Sequence, residues 1–154
     1  MVTKPDYSAL LKPGLHQLTV QDLFDLAVAP FPNDGQRALL FSKFSVWQTQ
    51  IQQIGLKGVI WIDGSFLTEK PGPSDIDCVF WKPYWSNPLN ATDASRELVK
   101  RLFDHATART LFGLDFYLEL PDPSDLIHRE AYWKGFFGYC HDRVTAKGFA
   151  EIHL

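Results

Sequence analysis

The segment from Gly58 to Trp81 constrains the fold more than any other part of the chain. It begins with an apolar run, Val59 to Ile62, followed by Gly64-Ser65 and a polar loop rich in Gly and Pro. A second apolar run then opens with Asp75-Ile76-Asp77. Two short apolar runs around a turn-rich loop predict two strands. Because side chains alternate along a strand, Asp75 and Asp77 should point to one face, one pleat apart.

This pair of carboxylates predicts a cation site. Two neighbouring carboxylates repel each other, so their proximity gives the fold no stability by itself. Mg²⁺ binds through one or two carboxylates and takes its other oxygen ligands from water and substrate phosphates. Backbone N–H groups at Gly64-Ser65, just upstream, are suited to a phosphate. The segment therefore predicts a site for a metal and a phosphate.

Length, charge and cysteine content limit the class of protein. A chain of 154 residues is one domain's worth, and its formal net charge of −3 gives no overall basic field for nucleic acid. Cys78 and Cys140 lie far apart in the sequence, so a disulfide framework is not expected. The N-terminus lacks the apolar segment of a signal peptide, and no apolar run is long enough to span a bilayer. We therefore expect a cytoplasmic protein without membrane association.

The rest of the pattern predicts a single α/β or α+β domain over 1–154, with helices packed on a small mixed sheet. Residues 1–18 should form an extended arm, and 121–154 a C-terminal helix and strand. Before the two strands, we predict a helix over 20–28 capped by Thr19 and a long helix from Asn33 or Asp34 to Gly55. After them, we predict a loop from Lys82 to Asn90, a helix from Ala94 to Thr107 and a strand from Phe112 to Leu120. The chain then continues with a helix capped by Ser124 and an edge strand from Lys147 to Leu154.

The combination of an apolar strand, Gly64-Ser65, nine residues and Asp75-Ile76-Asp77 resembles the signature of the nucleotidyltransferase superfamily typified by DNA polymerase β. The chain is particularly similar to minimal single-domain bacterial nucleotidyltransferases, some of which belong to toxin–antitoxin or phage-defence modules. The resemblance is sharp over 58–81, topological over 92–120, and absent before 30 and after 125. It implies a nucleotidyltransferase fold and a two-metal Mg²⁺ site.

The resemblance also implies roles for individual residues. Asp75 and Asp77 would bind Mg²⁺, and a third carboxylate on a later strand would complete the site. Asp115 is the candidate for that position, where it would bind the second metal and help to deprotonate the attacking hydroxyl. Glu119, on the same face of that predicted strand, is the alternative.

The predicted nucleotide ligands lie between the two strands of the signature. Gly64 and Ser65 would hold the β- and γ-phosphates, and Lys70 would reach a phosphate. Thr68 would support the loop. Asp63 is interpreted as a turn residue, since an Asp just before a Gly is most often found in a turn.

The last third of the chain combines basic and aromatic residues. Its aromatic positions recur as core residues do, although basic and aromatic residues together are also typical of a surface for a base or single-stranded RNA. His128 and His141 have no partners at metal-ligand spacing, so a zinc site is not expected. The family's usual helical domain for the base or acceptor has no counterpart here. Either a partner or the segment from Pro121 onward would recognise the acceptor.

Two hypotheses about function follow. The first is an Mg²⁺-dependent nucleotidyltransferase that moves a nucleoside monophosphate from a triphosphate, most simply ATP, to a hydroxyl of a protein or RNA acceptor such as tRNA. The protein could then act within a toxin–antitoxin or phage-defence system. The second is a non-catalytic protein of the same fold, an antitoxin or nucleotide sensor that acts by binding.

Overall fold

A five-stranded mixed sheet carries helices on both faces. The computed structural model describes residues 4–154. Its strands and helices in chain order are β1 Gly14–Gln17, α1 Val20–Ala27, α2 Gly35–Gln53, β2 Leu56–Asp63, β3 Ile76–Trp85, α3 Asp93–Leu102, α4 His105–Phe112, β4 Leu114–Glu119, α5 Leu126–Phe137 and β5 Gly148–His153. The strand order is β1-β5-β2-β3-β4, with parallel β1/β5 and β3/β4 pairs and antiparallel β5/β2 and β2/β3 pairs. This architecture confirms the predicted small mixed sheet flanked by helices.

The hairpin of β2 and β3 lies where the sequence predicts it, but β3 is longer. It continues to Trp85, so the prediction of a loop from Lys82 onward was wrong. The register with β2 shifts between Lys57 and Val59, and Lys82 has a φ of 43°. A bulge of this kind accommodates Pro83, which cannot donate a ladder hydrogen bond. The strand therefore continues through a residue that normally ends one.

Both ends of the chain differ from the prediction. Residues 14–17 of the predicted arm form β1, a strand too short for a recognisable alternation, while residues 1–3 of that arm lie outside the described range. β1 pairs with β5, so β5 lies between β1 and β2 and is not the edge strand that we predicted. The N-terminal segment thereby covers an edge that would otherwise be open.

The first two helices begin at the predicted caps. Thr19 and Asp22 form a reciprocal capping box on α1, and Asp34 accepts a hydrogen bond from the Arg37 backbone N–H at the start of α2. Gly55, at a φ of 76°, follows α2. Capping signals are local, which explains why the sequence is informative here.

The single helix predicted from Ala94 to Thr107 is two helices. α3 ends at Leu102, and Asp104 caps α4 by accepting hydrogen bonds from the backbone N–H and the hydroxyl of Thr107. The break turns α4 into a separate helix beside β4, with His105 and Arg109 one turn apart on one face. Ser124 is likewise not the cap of α5, since the residue that precedes this helix is Asp125.

Two hydrophobic layers lie on opposite faces of the sheet. One face packs against α1 to α4 through alternate strand residues such as Ile60, Phe80 and Phe116. The other face carries Trp61, Trp81 and Phe149, and α5 covers these with Trp133 and Phe137. Within residues 4–154, no helix combines the length and the apolar character needed to cross a membrane.

Candidate active site

The uncovered end of the face that carries α5 holds a row of carboxylates. Asp63 on β2 lies opposite Asp77 on β3, and Asp77 lies opposite Asp115 on β4. Residues in register on neighbouring strands point to the same face of a sheet, so three strands contribute one acidic side chain each. Asp75, two residues before Asp77, borders the same cleft.

The electrostatics of this row oppose ionisation. Burial, followed by the charges of Asp75, Asp115 and Asp63, raises the pKa of Asp77 to about 7. Burial also raises the pKa of Asp63, to about 6, although Lys147 opposes this effect. Carboxylates whose negative charges destabilise one another indicate a site adapted to a positively charged ligand.

Lys147 supplies one built-in cation. Its Nζ donates a hydrogen bond of 2.8 Å to Asp63 Oδ2, and both side chains are largely buried. Asp63 Oδ1 is buried and has no hydrogen-bond partner among the residues that the structure describes. Asp63 is therefore a buried member of the site, and its interpretation as a simple turn residue is wrong.

Helix α4 supplies a second cation through Arg109. Its Nη2 donates a hydrogen bond of 2.9 Å to Asp75 Oδ2, and its Nη1 lies 3.6 Å from Asp115 Oδ1. The guanidinium thus bridges Asp75 and Asp115. Among residues 4–154, no three His, Cys, Asp or Glu side chains are grouped closely enough to hold a metal ion as they stand.

His105 lies one turn before Arg109. Its Nδ1 lies 2.8 Å from the carbonyl oxygen of Phe116, which can only accept, so Nδ1 carries the hydrogen. Nε2 then faces Asp115 Oδ1 at 3.5 Å. The carbonyl thereby orients the ring toward the carboxylate, as in many acid–base pairs.

Gly64 allows the loop after β2 to approach Asp77 closely. Its φ is 83°, in the left-handed region that favours glycine. A Cβ atom at this position would overlap the carboxylate of Asp77. Ser65 follows directly and begins a short 3-10 turn, Ser65–Leu67. The Gly-Ser pair therefore packs directly beside the acidic row.

A buried arginine holds this loop in place. Arg37 on α2 is completely buried and donates hydrogen bonds to the backbone carbonyls of Phe66, Thr68 and Lys70. Its Nε forms an ion pair with Asp34 Oδ2 at 3.3 Å, and that oxygen accepts a hydrogen bond from the backbone N–H of Gly72. Because a guanidinium offers several donors in a fixed plane, one side chain can hold three carbonyls of the loop, which belong to alternate residues. Thr68, predicted to support the loop, donates its hydroxyl to the Ser65 carbonyl at 2.8 Å.

One cleft of about 930 Å³ brings the predicted site residues together. Those that line it are Gly64, Ser65, Lys70, Asp75, Asp77 and Asp115. Its volume is at the upper end of the range typical of small-molecule sites. Asp63, Arg109 and Lys147 line the same cleft, although none of the three was predicted as a site residue.

Glu119, the alternative third carboxylate, has another role in the structure. It accepts hydrogen bonds from Arg129 Nε at 3.0 Å and from Trp133 Nε1 at 2.7 Å, and it does not border the cleft. Burial alone would raise the pKa of Glu119, but the hydrogen bonds from Arg129 and Trp133 lower it. Glu119 thus joins β4 to α5, and Asp115 is the carboxylate of β4 that faces the cleft.

The aromatic residues of the last third divide into two groups. Trp133 and Phe137 belong to the core, as predicted from their spacing. Tyr132, Phe136 and Tyr139 are exposed and line the cleft, so the prediction of core positions was wrong for these three. A helix that lies on one end of a sheet face can direct only one stripe of side chains inward, and the neighbouring stripe borders the open end.

Comparison with known proteins gives a family but no activity. The model of a family of unknown function, DUF6932, matches residues 4–153. No curated protein and no solved structure matches the chain. Since the matched segment spans nearly all of the sequence, the chain belongs to the DUF6932 family.

Proposed function

We propose that this protein is an Mg²⁺-dependent nucleotidyltransferase that transfers a nucleoside monophosphate from a triphosphate, with ATP as the first candidate, to a hydroxyl group. The observation that carries the proposal is that Asp75, Asp77 and Asp115 line one cleft beside Gly64-Ser65, with Asp77 and Asp115 in register on neighbouring strands. Oxygen ligands of this kind are those that Mg²⁺ prefers. The nucleotidyltransferase resemblance of the Gly-Ser and Asp-x-Asp motifs supports the same reaction.

The residues present fit the implied metal. The raised pKa of Asp77 has its origin in burial and in the repulsion of three other carboxylates, and a divalent cation would relieve both. Asp75, Asp77 and Asp115 would hold the metal, which would neutralise charge on the phosphate oxygens. Arg109, with a half-exposed side chain, would then release Asp75 and Asp115 and could contact a phosphate.

The protein's own groups account for the movement of the proton. Asp115 would accept the proton of the attacking hydroxyl, and His105 Nε2, at 3.5 Å from Asp115 Oδ1, could take it further. The bond between the acceptor oxygen and the α-phosphorus forms as the bond from that phosphorus to the bridging oxygen breaks. Pyrophosphate leaves with the bonding electrons, while Lys147 and Lys70 lie in the same cleft to offset its charge.

One observation favours a second candidate function. The Arg109 guanidinium already bridges Asp75 and Asp115 and satisfies part of their charge. A protein that binds a nucleotide without transferring it, such as an antitoxin or sensor, could retain this pairing. Its nucleotide binding would then be independent of Mg²⁺, which separates it from the enzyme.

Transfer of label from α-labelled nucleoside triphosphates tests the proposal. Each triphosphate is incubated with Mg²⁺ and either total RNA or total protein, using the wild type, Asp77→Asn, and Asp122→Asn as an exposed matched control. We expect label in one acceptor fraction with the wild type and the control, and none with Asp77→Asn. Equal labelling by Asp77→Asn, or none by the wild type, would contradict an enzymatic role.

A further inference from the structure

Two exposed aromatic rings on α5 form part of the cleft wall. Tyr132 is 53% exposed and Phe136 is 61% exposed, and both line the cleft that contains the carboxylates. Their ring planes are parallel to within 6°, with centroids 6.3 Å apart. A flat ligand that lies parallel to one ring therefore lies parallel to the other.

Packing of the fold does not account for these two rings. Trp133 and Phe137, on the adjacent stripe of α5, already cover the sheet. Tyr132 is also held in place from one face of its ring, because the Arg129 guanidinium lies over that face at 4.8 Å from the ring centre and is itself fixed by Glu119. A base would therefore stack on the remaining face of Tyr132 and on Phe136. Large aromatic side chains that are exposed in a cleft are typical of a ligand surface.

The cleft contains three kinds of chemistry side by side. Carboxylates occupy its floor, and cationic side chains such as Arg143 and Lys147 border it near the loop that precedes β5. The α5 wall adds an uncharged aromatic surface. A nucleoside triphosphate with its metal has the complementary parts, namely a cation, a polyanion and a flat base.

We propose that Tyr132 and Phe136 form the base-binding wall, against which the base of the incoming nucleoside triphosphate stacks. The inference rests on the proposed function, and it assigns base recognition to α5. Stacking uses the π face that every base presents, so all four nucleotides should bind, and the larger purines more tightly.

Calorimetric titration with two probes, ATP and inorganic tripolyphosphate, tests this proposal in the presence of Mg²⁺. The variants are Phe136→Leu and Tyr132→Leu, which keep apolar bulk but remove the ring. Ile127→Ala, at a position of α5 that is 74% exposed and outside the cleft, is the control. Thermal unfolding of each variant verifies that it is folded.

We expect Phe136→Leu and Tyr132→Leu each to weaken ATP binding about tenfold and to leave tripolyphosphate binding unchanged. The control should bind both probes like the wild type. Unchanged ATP affinity in both ring variants, with Mg²⁺-dependent binding of both probes to the wild type, would overturn the base wall alone. If neither ATP nor tripolyphosphate shows Mg²⁺-dependent binding to the wild type, both the proposed function and the base-binding wall are overturned.

Discussion

Replacement of Asp77 by Asn should stabilise the protein in the absence of metal. A pKa raised from its usual 3.8 to about 7 means that ionising Asp77 costs about 4 kcal/mol more in the folded chain than in the unfolded chain. Asp77 is only partly buried, so screening by solvent should reduce the measurable effect to about 2 kcal/mol. Asn has nearly the same shape and carries no charge, so it removes this cost.

The difference in free energy of unfolding between Asp77→Asn and the wild type should grow as the pH rises. Below a pH of 3.8, Asp77 is protonated in both states and the variant should match the wild type. Between that value and about pH 7, the unfolded wild type releases the proton while the folded protein retains it, so wild-type stability falls as pH rises. Above about pH 7 the difference in stability is constant, and the Asp77→Asn variant is the more stable protein.

Thermal or urea unfolding at a series of pH values measures this difference. For a chain of this size, about 2 kcal/mol corresponds to a rise in Tm of about 4 to 8 °C at high pH. Added Mg²⁺ should raise the Tm of the wild type and not that of the variant, because a ligand stabilises only the state that binds it. Asp122→Asn is the control and should change neither curve. An Asp77→Asn protein less stable than the wild type at high pH without metal would refute the reasoning.

Three further substitutions test how the site is held. Gly64→Ala should destabilise the chain by about 1 to 3 kcal/mol and reduce nucleotide transfer at least about a hundredfold, because the added Cβ would displace the Asp77 carboxylate. Denaturant unfolding measures the first effect and the labelling assay the second, and full activity would contradict the packing of Gly64 against Asp77. Arg37→Lys should lower the free energy of unfolding by about 3 kcal/mol and weaken ATP binding, because one ammonium cannot donate to three carbonyls in a plane. A wild-type ATP affinity in calorimetry would count against the role of Arg37 in holding the loop. Lys147→Met should lower the free energy of unfolding by about 3 kcal/mol at high pH and by little at about pH 4, where Asp63 is protonated. Unfolding experiments that show the same loss of stability at both pH values would disprove the buried ion pair.

The sequence was most informative where the chemistry is local. Gly64-Ser65 and Asp77 lie within one hairpin, and alternation along β3 is sufficient to place Asp77 on the face of the cleft. Asp75 was predicted to open the strand, but β3 begins at Ile76, and Asp75 borders the cleft from the residue before it. Asp115 was inferred from the family pattern, and the parallel register of β3 and β4 then places it beside Asp77. Helix caps at Thr19 and Asp34 were predictable for the same reason of short range.

The missed residues depend on contacts between distant segments. Lys147 reaches Asp63 only because β5 lies beside β2, and that pairing of strands has no signature in either strand alone. Arg109 enters the site because Asp104 separates α4 from α3. Arg37 did leave a trace, since it precedes Leu40 by three positions on the apolar face of α2, where a charged residue requires a buried partner.

Counting bound Mn²⁺ ions is the most direct test of the central claim that Asp75, Asp77 and Asp115 form a metal site for a nucleotide. Water-proton relaxation, measured during titration with Mn²⁺ and a non-hydrolysable ATP analogue, reports the number of ions bound per chain. We expect two ions for the wild type and for Glu119→Gln, and fewer for Asp115→Asn. Ion binding that is lost in Glu119→Gln and retained in Asp115→Asn would contradict this account.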